Sequence, residues 1–317
     1  RAVPEDTGHS IGLLEKNRVY GNTKHEVNVY VKVFTNSPFL VCMDLAHSQE
    51  EVIDPKYLWI GPDGKNLEGQ SYVNLTETGR FLMVMGFKES MSGAYTCTLS
   101  HSIVETTTQE EREMVELYKF MVYAYRGADH TYRLFARFTT TSCELAANSH
   151  FFGELKKILN NTISDLTCHI VEPSYKCHLI QTPNQGLLHE LFVSFQVNPF
   201  APGWEEVCQH VPYDCEDATN LRVKEATDRL DKFFNEQADA LRHKFQTLPT
   251  IHYVDNSFSA TRVDSCRPGF GRNDVTHKDC ANCCVVCEPG TYSPSNNVTC
   301  QVCARPGVQE YGARSCQ

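Results

Sequence analysis

Cysteine is the residue type with the most chemistry to offer in this chain. Three Cys-x-x-Cys pairs crowd its C-terminal end: Cys280/Cys283, Cys284/Cys287 and Cys300/Cys303. Deprotonated and converging, such pairs hold zinc, and inside a cell that would be the first chemistry to consider. Oxidised, they staple a small extracellular module. The chain has 15 cysteines in 317 residues. Eight of them (Cys266, Cys280, Cys283, Cys284, Cys287, Cys300, Cys303 and Cys316) fall in the last 52 residues, and that even count suits four bridges of open pairing. Asn74, Asn160 and Asn297 each open an N-x-[ST] sequon, the last of them among the tail cysteines. Cysteine density and sequons together point to an oxidising secretory compartment. Disulfides are therefore expected, with no metal ligands and no cofactor. A zinc-dependent intracellular protein is the weaker alternative.

Other reactive patterns are missing. The chain has no G-x-S-x-G elbow, H-E-x-x-H, G-x-G-x-x-G, P-loop or D-x-D-x-D-G calcium loop. His189-Glu190 runs into Leu-Phe-Val rather than a second histidine, and His178 and His252 stand isolated. No catalytic residue is assigned and the protein reads as a non-enzyme. A net charge of −10 argues against a uniformly basic nucleic-acid binder. No apolar run approaches the roughly 20 residues that span a bilayer. The chain opens at Arg1 with neither an initiator Met nor an apolar leader, as a secreted chain with its signal peptide removed would.

The elements that must position these groups divide the chain into three, at 1–126, 127–262 and 263–317. In the first part, segments 27–34, 57–60, 81–85, 94–99 and 117–124 are rich in β-branched and aromatic residues, with turn signals at Gly61-Pro62-Asp63-Gly64 and Ser92-Gly93. Cys42, Trp59 and Gly93-Ala94-Tyr95-Thr96-Cys97 form a constellation that resembles an immunoglobulin sandwich. The resemblance implies that Cys42 and Cys97 bridge the sheets, that Trp59 packs on the sulfurs and that Tyr95 closes a corner. Met91 stands where such sandwiches often carry Asp, so the usual salt bridge at that corner is expected to be absent.

The middle part reads as mixed α+β. Residues 149–166 carry apolar side chains at helical spacing behind Ser149 as an N-cap, and 190–197 reads as a strand. A second helix is expected over 217–246, with Leu230, Phe234, Leu241 and Phe245 as its stripe beside Phe233 and Ala238. Glu225/Arg229 and Asp228/Lys232 would be its ion pairs, and Pro249 would close it. Cys168/Cys177 and Cys208/Cys215 are near enough in sequence for local bridges, which leaves Cys143 as the odd thiol. The tail, Cys266-Arg-Pro-Gly-Phe-Gly onward, resembles the disulfide-rich growth-factor-like (EGF-like) modules of extracellular proteins, with tight turns at Pro-Gly.

The whole ensemble resembles the zona pellucida-binding protein family of sperm acrosomal proteins. The residues that carry this are Asp54-Pro-Lys-Tyr-Leu-Trp-Ile-Gly-Pro62, Phe195-Gln-Val-Asn-Pro-Phe-Ala-Pro-Gly-Trp204 and Cys283-Cys284-Val-Val-Cys287. The resemblance implies a secreted glycoprotein of the acrosome, with roles in acrosome assembly, sperm-head shape and interaction with egg-coat glycoproteins. Sandwich loops or the tail would make the contact. The alternative is a structural scaffold of the acrosomal matrix, partnered by other matrix proteins, that never touches the egg; a spare thiol at Cys143 would serve it.

Overall fold

The computed structural model describes residues 17–48, 52–104, 106–144, 146–184, 186–211, 215–236, 251–294, 299–305 and 307–316. They fall into two compact units, residues 1–127 with 268–294 and 298–317, and residues 128–267 with 295–297.

The first unit is built on strands β1 (Arg18–Gly21), β2 (Val27–Lys32), β3 (Phe39–Asp44), β4 (Ile53–Ile60), β5 (Val73–Thr76), β6 (Phe81–Val84), β7 (Gly93–Val104) and β8 (Glu111–Arg126). One sheet runs β1-β3-β6-β5; the other holds β4-β7-β8, with β2 parallel to β8. Successive side chains on a strand point to opposite faces. Tyr118, Phe120 and Val122 on β8 alternate inward with Tyr95, Cys97 and Leu99 on β7, and all are buried. The Cys42–Cys97 bridge joins β3 to β7 across this core. Trp59 lies 5.9 Å from Phe120 and its Nε1 donates to the Gly79 carbonyl at 2.6 Å. The Tyr95 hydroxyl donates to the Met91 carbonyl at 2.6 Å, so this corner is held through the backbone of Met91 and needs no carboxylate there. Each such ring, fully buried, contributes about 1.5–3 kcal/mol.

The tail adds to this unit. Strands β14 (Phe270–Gly271) and β15 (Cys284–Val286) extend the second sheet, with Val285 opposite Tyr125 of β8. Bridges Cys280–Cys283, Cys287–Cys300 and Cys303–Cys316 staple it, and Cys266 and Cys284 are oxidised as well. Gly269 and Gly290, the glycines of two Cys-x-Pro-Gly turns, both have positive φ. A Cβ on Gly269 would stand 2.7 Å from the Gly312 carbonyl oxygen, so this approach requires glycine.

The second unit runs β9 (Asp129–Thr140), helix α1 (Ala146–Ile163), β10 (His169–Thr182), β11 (Gly186–Asn198), α2 (Trp204–Gln209), α3 (Glu216–Glu236), β12 (His252–Tyr253) and β13 (Ser259–Ser265). Its sheet is antiparallel in the order β10-β11-β9, with β12 and β13 pairing the far edge of β9. This β-α-β-β-α-β succession is the ferredoxin-like arrangement. Phe151, Leu155, Leu159 and Ile163 of α1 and Val223, Ala226, Leu230 and Phe234 of α3 pack on Leu134, Ala136, Phe138, Leu191, Val193 and Phe195.

Asp129 and Arg267 form a fully buried bidentate pair in this unit, at 2.8 and 3.2 Å, with the guanidinium over Phe200 and Trp204. It fastens the start of β9 to Arg267, two residues beyond the end of β13.

Several expectations are corrected. Cys177 is bonded to Cys143, not to Cys168. Cys168 is therefore the free thiol among the described residues, and Cys143 is not. The nine residues from Cys168 to Cys177 run along extended β10, which carries them roughly 30 Å apart at about 3.3 Å per residue. Cys208–Cys215 does close a local loop, because it joins the last turn of α2 to the residue before α3. Ser149 lies inside α1, which begins at Ala146. Asp228 pairs back to Lys224 at 2.9 Å, and Lys232 turns to Glu236. Glu225 and Arg229 do meet, at 3.3 Å. Ala238, Leu241, Phe245 and Pro249 lie outside the described residues. Strands β9 and β10 were not expected; Pro173 sits at a bulge in β10, an edge strand that tolerates it.

Cys168 is buried, which pushes its thiol up to about 11 although the Arg222 guanidinium beside it pulls the other way. It is a protonated and unreactive group. Peptide mapping of the unreduced chain is expected to recover Cys143 linked to Cys177, with Cys168 reacting with a thiol reagent only after unfolding. A linked Cys168–Cys177 peptide would overturn this pairing. Arg267→Met leaves Asp129 as an uncompensated buried charge and is expected to cost about 3–5 kcal/mol in a denaturant melt. The double variant with Asp129→Leu should recover part of that loss.

Candidate functional site

The sheet β4-β7-β8 has an outward face as well as the inward one that holds Trp59. Lys56, Leu58 and Ile60 of β4 point out, beside Thr96, Thr98 and Ser100 of β7 and Val115, Leu117, Lys119 and Met121 of β8. The register sets them in rows: Leu58 opposite Thr98 and Thr98 opposite Leu117, then Lys56, Ser100 and Val115. Leu58, Val115 and Leu117 are 44, 62 and 56% exposed. Three large apolar side chains around one threonine on a rigid sheet make a contiguous patch rather than scattered singles.

Further along β8 the same face is covered. Tyr30 of β2 stacks on Tyr123 at 5.6 Å. His277 of the tail packs edge-on against both rings, and its Nδ1 shares a 2.8 Å hydrogen bond with the Tyr30 hydroxyl. The Glu288 carboxylate lies 3.9 Å from His277 Nε2. Arg126, buried at the end of β8, reaches Glu89 at 3.5 Å and lies over Phe270 of β14. The tail is thus latched over one half of the face and leaves the half around Leu58 and Leu117 bare.

Tyrosine, histidine and glutamate in line suggest a nucleophile, base and carboxylate, but the electrostatics run the other way. Burial, with Asp279 and Glu288 adding, pushes Tyr30 up to about 12. An activated nucleophile needs a lowered pKa or an adjacent free base. Burial also holds the His277 imidazole below its usual value, against the pull of Glu288. The array holds the tail in place.

The other sequence-derived residues lie apart from this patch. Cys42, Cys97, Trp59 and Tyr95 form the core beneath it. Asn74 is exposed on β5, an edge strand. The Asn160 side-chain oxygen accepts the Ile170 amide at 2.8 Å, tying α1 to β10. Asn297 lies outside the described residues. Among the described residues no cluster of three His, Cys, Asp or Glu side chains is placed to hold a metal. The cysteines of the three Cys-x-x-Cys pairs are all in disulfides. Sequence reasoning missed Leu58, Val115 and Leu117. The signal for Leu117 was segment 117–124, apolar at both parities: the inward set is core, and the outward set must be covered or exposed.

Comparison with known proteins gives two family matches. Residues 26–126 match the Zona-pellucida-binding protein (Sp38) N-terminal Ig domain, and residues 266–317 match the Zona-pellucida-binding protein (Sp38) C-terminal EGF-like domain. Zona pellucida-binding protein 2 of Gallus gallus is 61% identical over all of this chain and 90% of its own length. The Rattus norvegicus protein of that name is 52% identical over 94% of this chain and 90% of its own. Zona pellucida-binding protein 1 of Sus scrofa is 32% identical over 95% of this chain and 83% of its own.

The latch has a pH dependence of known sign. The folded state keeps His277 neutral, so the contribution is full above the ordinary value near 6.5 and shrinks as pH falls below it. Hydrogen exchange is expected to show amide protection in the tail falling as pH drops below about 6.5. His277→Phe should remove that trend; an unchanged trend would move its origin elsewhere.

Proposed function

Because the chain belongs to the zona pellucida-binding protein family, we propose that it is a non-enzymatic, secreted glycoprotein of the sperm acrosome that binds glycoproteins of the egg zona pellucida. The same reading gives it a part in acrosome and sperm-head formation, beside other acrosomal matrix proteins. It takes the chain as three modules, 1–126, 127–262 and 263–317, with glycans at Asn74, Asn160 and Asn297. The observation that carries a binding function is the bare apolar patch of Leu58, Val115 and Leu117, held on a sheet that the Cys42–Cys97 bridge and the tail make rigid. Partners that recognise proteins through such a face gain most from a few central anchors.

The scaffold alternative loses its covalent form, since Cys143 is bonded to Cys177 and Cys168 is buried. A zinc site in the tail would need free thiolates where the structure has disulfides.

Saturable binding of the unreduced chain to isolated egg coats tests the reading, with a reduced and alkylated sample as control. Leu58→Lys with Leu117→Lys is expected to weaken binding by about tenfold or more, while near-ultraviolet dichroism stays native. Unchanged binding would remove the patch from the function. Absence of saturable binding by the native chain would overturn the egg-coat reading itself.

A further inference from the structure

The sheet of the second unit also has two faces. Helices α1 and α3 cover the one that carries Leu134, Ala136 and Phe138. Residues of opposite parity stand on the other. Strand register places them in rows: Lys176 of β10 opposite Phe192 of β11, and Phe192 opposite Arg137 of β9. The next row is Ser174, Ser194 and Phe135, and beyond it Gln196 faces Arg133. The aromatic rings of Phe135 and Phe192 meet diagonally across the two central strands, stacked at 5.4 Å and 27°.

These rings would ordinarily be a cross-strand pair on a solvated face. Three observations argue for more. First, the pair is flanked by cations in a chain of net charge −10: Arg133, Arg137 and Lys176 are all exposed, and among the described residues neither Arg133 nor Lys176 has an ion-pair partner. Second, Arg137 is held 3.6 Å from Glu190, a buried carboxylate, which orients its guanidinium beside the rings. Third, a groove of about 380 Å³ adjoins the pair, lined by Arg133, Glu172, Ser174, Ser194 and Gln196. Its Ser174 and Ser194 hydroxyls are 2.7 Å apart.

We propose that this face is a binding platform for an acidic oligosaccharide. The negative face of an aromatic ring attracts the weakly positive C–H side of a pyranose. Guanidinium and ammonium groups pair with a carboxylate or a sulfate. Hydroxyl and amide side chains in the groove match sugar hydroxyls, which both donate and accept. A single-stranded nucleic acid would use the same rings, but the disulfides place the chain in a secretory compartment. The inference goes beyond the egg-coat reading and does not depend on it. It concerns a different domain, and its ligand is defined by chemistry.

Calorimetric titration of the full, unreduced chain tests it. The probes are a sialylated oligosaccharide, a sulfated one, the neutral parent of matched length and an oligouridylate. Saturable binding of either acidic sugar, weaker in salt and about tenfold weaker for the neutral parent, is expected. Preference between the two acidic probes tells carboxylate from sulfate. Phe192→Leu, which keeps most of the side-chain volume, and Lys176→Glu, at an exposed position, are each expected to lower affinity about tenfold with the fold intact by dichroism. Four outcomes overturn the proposal: no binding of either acidic sugar, equal binding of the neutral one, tighter binding of the oligouridylate, or loss with Lys176→Glu but none with Phe192→Leu. The last would mean diffuse charge attraction without a platform.

Discussion

A β-sheet has two faces, and this chain builds more faces than it can cover. That constraint organises the whole molecule. In the first unit, the two sheets close one core around Cys42–Cys97 and Trp59. The outward face of β4-β7-β8 then needs its own solution. The tail provides half of one, laying His277 over Tyr30 and Tyr123 and pairing β15 with β8. The other half, at Leu58 and Leu117, stays open. In the second unit, α1 and α3 cover one face, and the opposite face shows Phe135, Phe192 and the cations around them. Exposed apolar or aromatic surface costs solubility, so the faces left open are where binding is most economically sought.

The staples follow the same logic. The tail buries little apolar surface, and bridges such as Cys287–Cys300 and Cys303–Cys316 replace the missing core. In the second unit a large helix-on-sheet core does most of the stabilising. There the remaining polar groups are pinned individually: Asp129 by Arg267, and the carbonyls of Leu166, Thr167 and Pro199 by Arg222. A half-buried arginine, Arg222, donates to three carbonyls where the chain passes from α1 into β10, with Thr167 in the left-handed region. Burying such charges is unfavourable unless each is paired, and Arg267 has its carboxylate in place.

Local pattern made much of this legible. The spacing of Cys42, Trp59, Tyr95 and Cys97 belongs to one fold, because the offset from Tyr95 to Cys97 is a property of a single strand and its corner. The stripe Phe151, Leu155, Leu159 and Ile163 is a helix face, since 3.6-residue periodicity needs no partner to be seen. Strand β9 was legible in principle through Leu134, Ala136 and Phe138, yet it lies where the chain passes from one domain to the next. Strand β10 was less so, because Pro173 and a run of polar residues mask an edge strand.

By itself, then, the sequence determined the fold of the first domain, the two long helices of the second, the oxidised state of the tail and the family to which the chain belongs. All of these are encoded in residue spacing along one element or in the identity of whole segments. Only the tertiary structure decided which cysteine Cys177 meets. Extended backbone carries Cys168 and Cys177 apart, while the sheet brings Cys143 to Cys177 across 34 residues. Only it decided which faces stay open, too. Alternation along a strand shows that Leu117 and Tyr118, or Phe135 and Ala136, must part to opposite sides. Which side finds a cover depends on register, and on where the tail and the helices settle, contacts made between residues far apart in the chain.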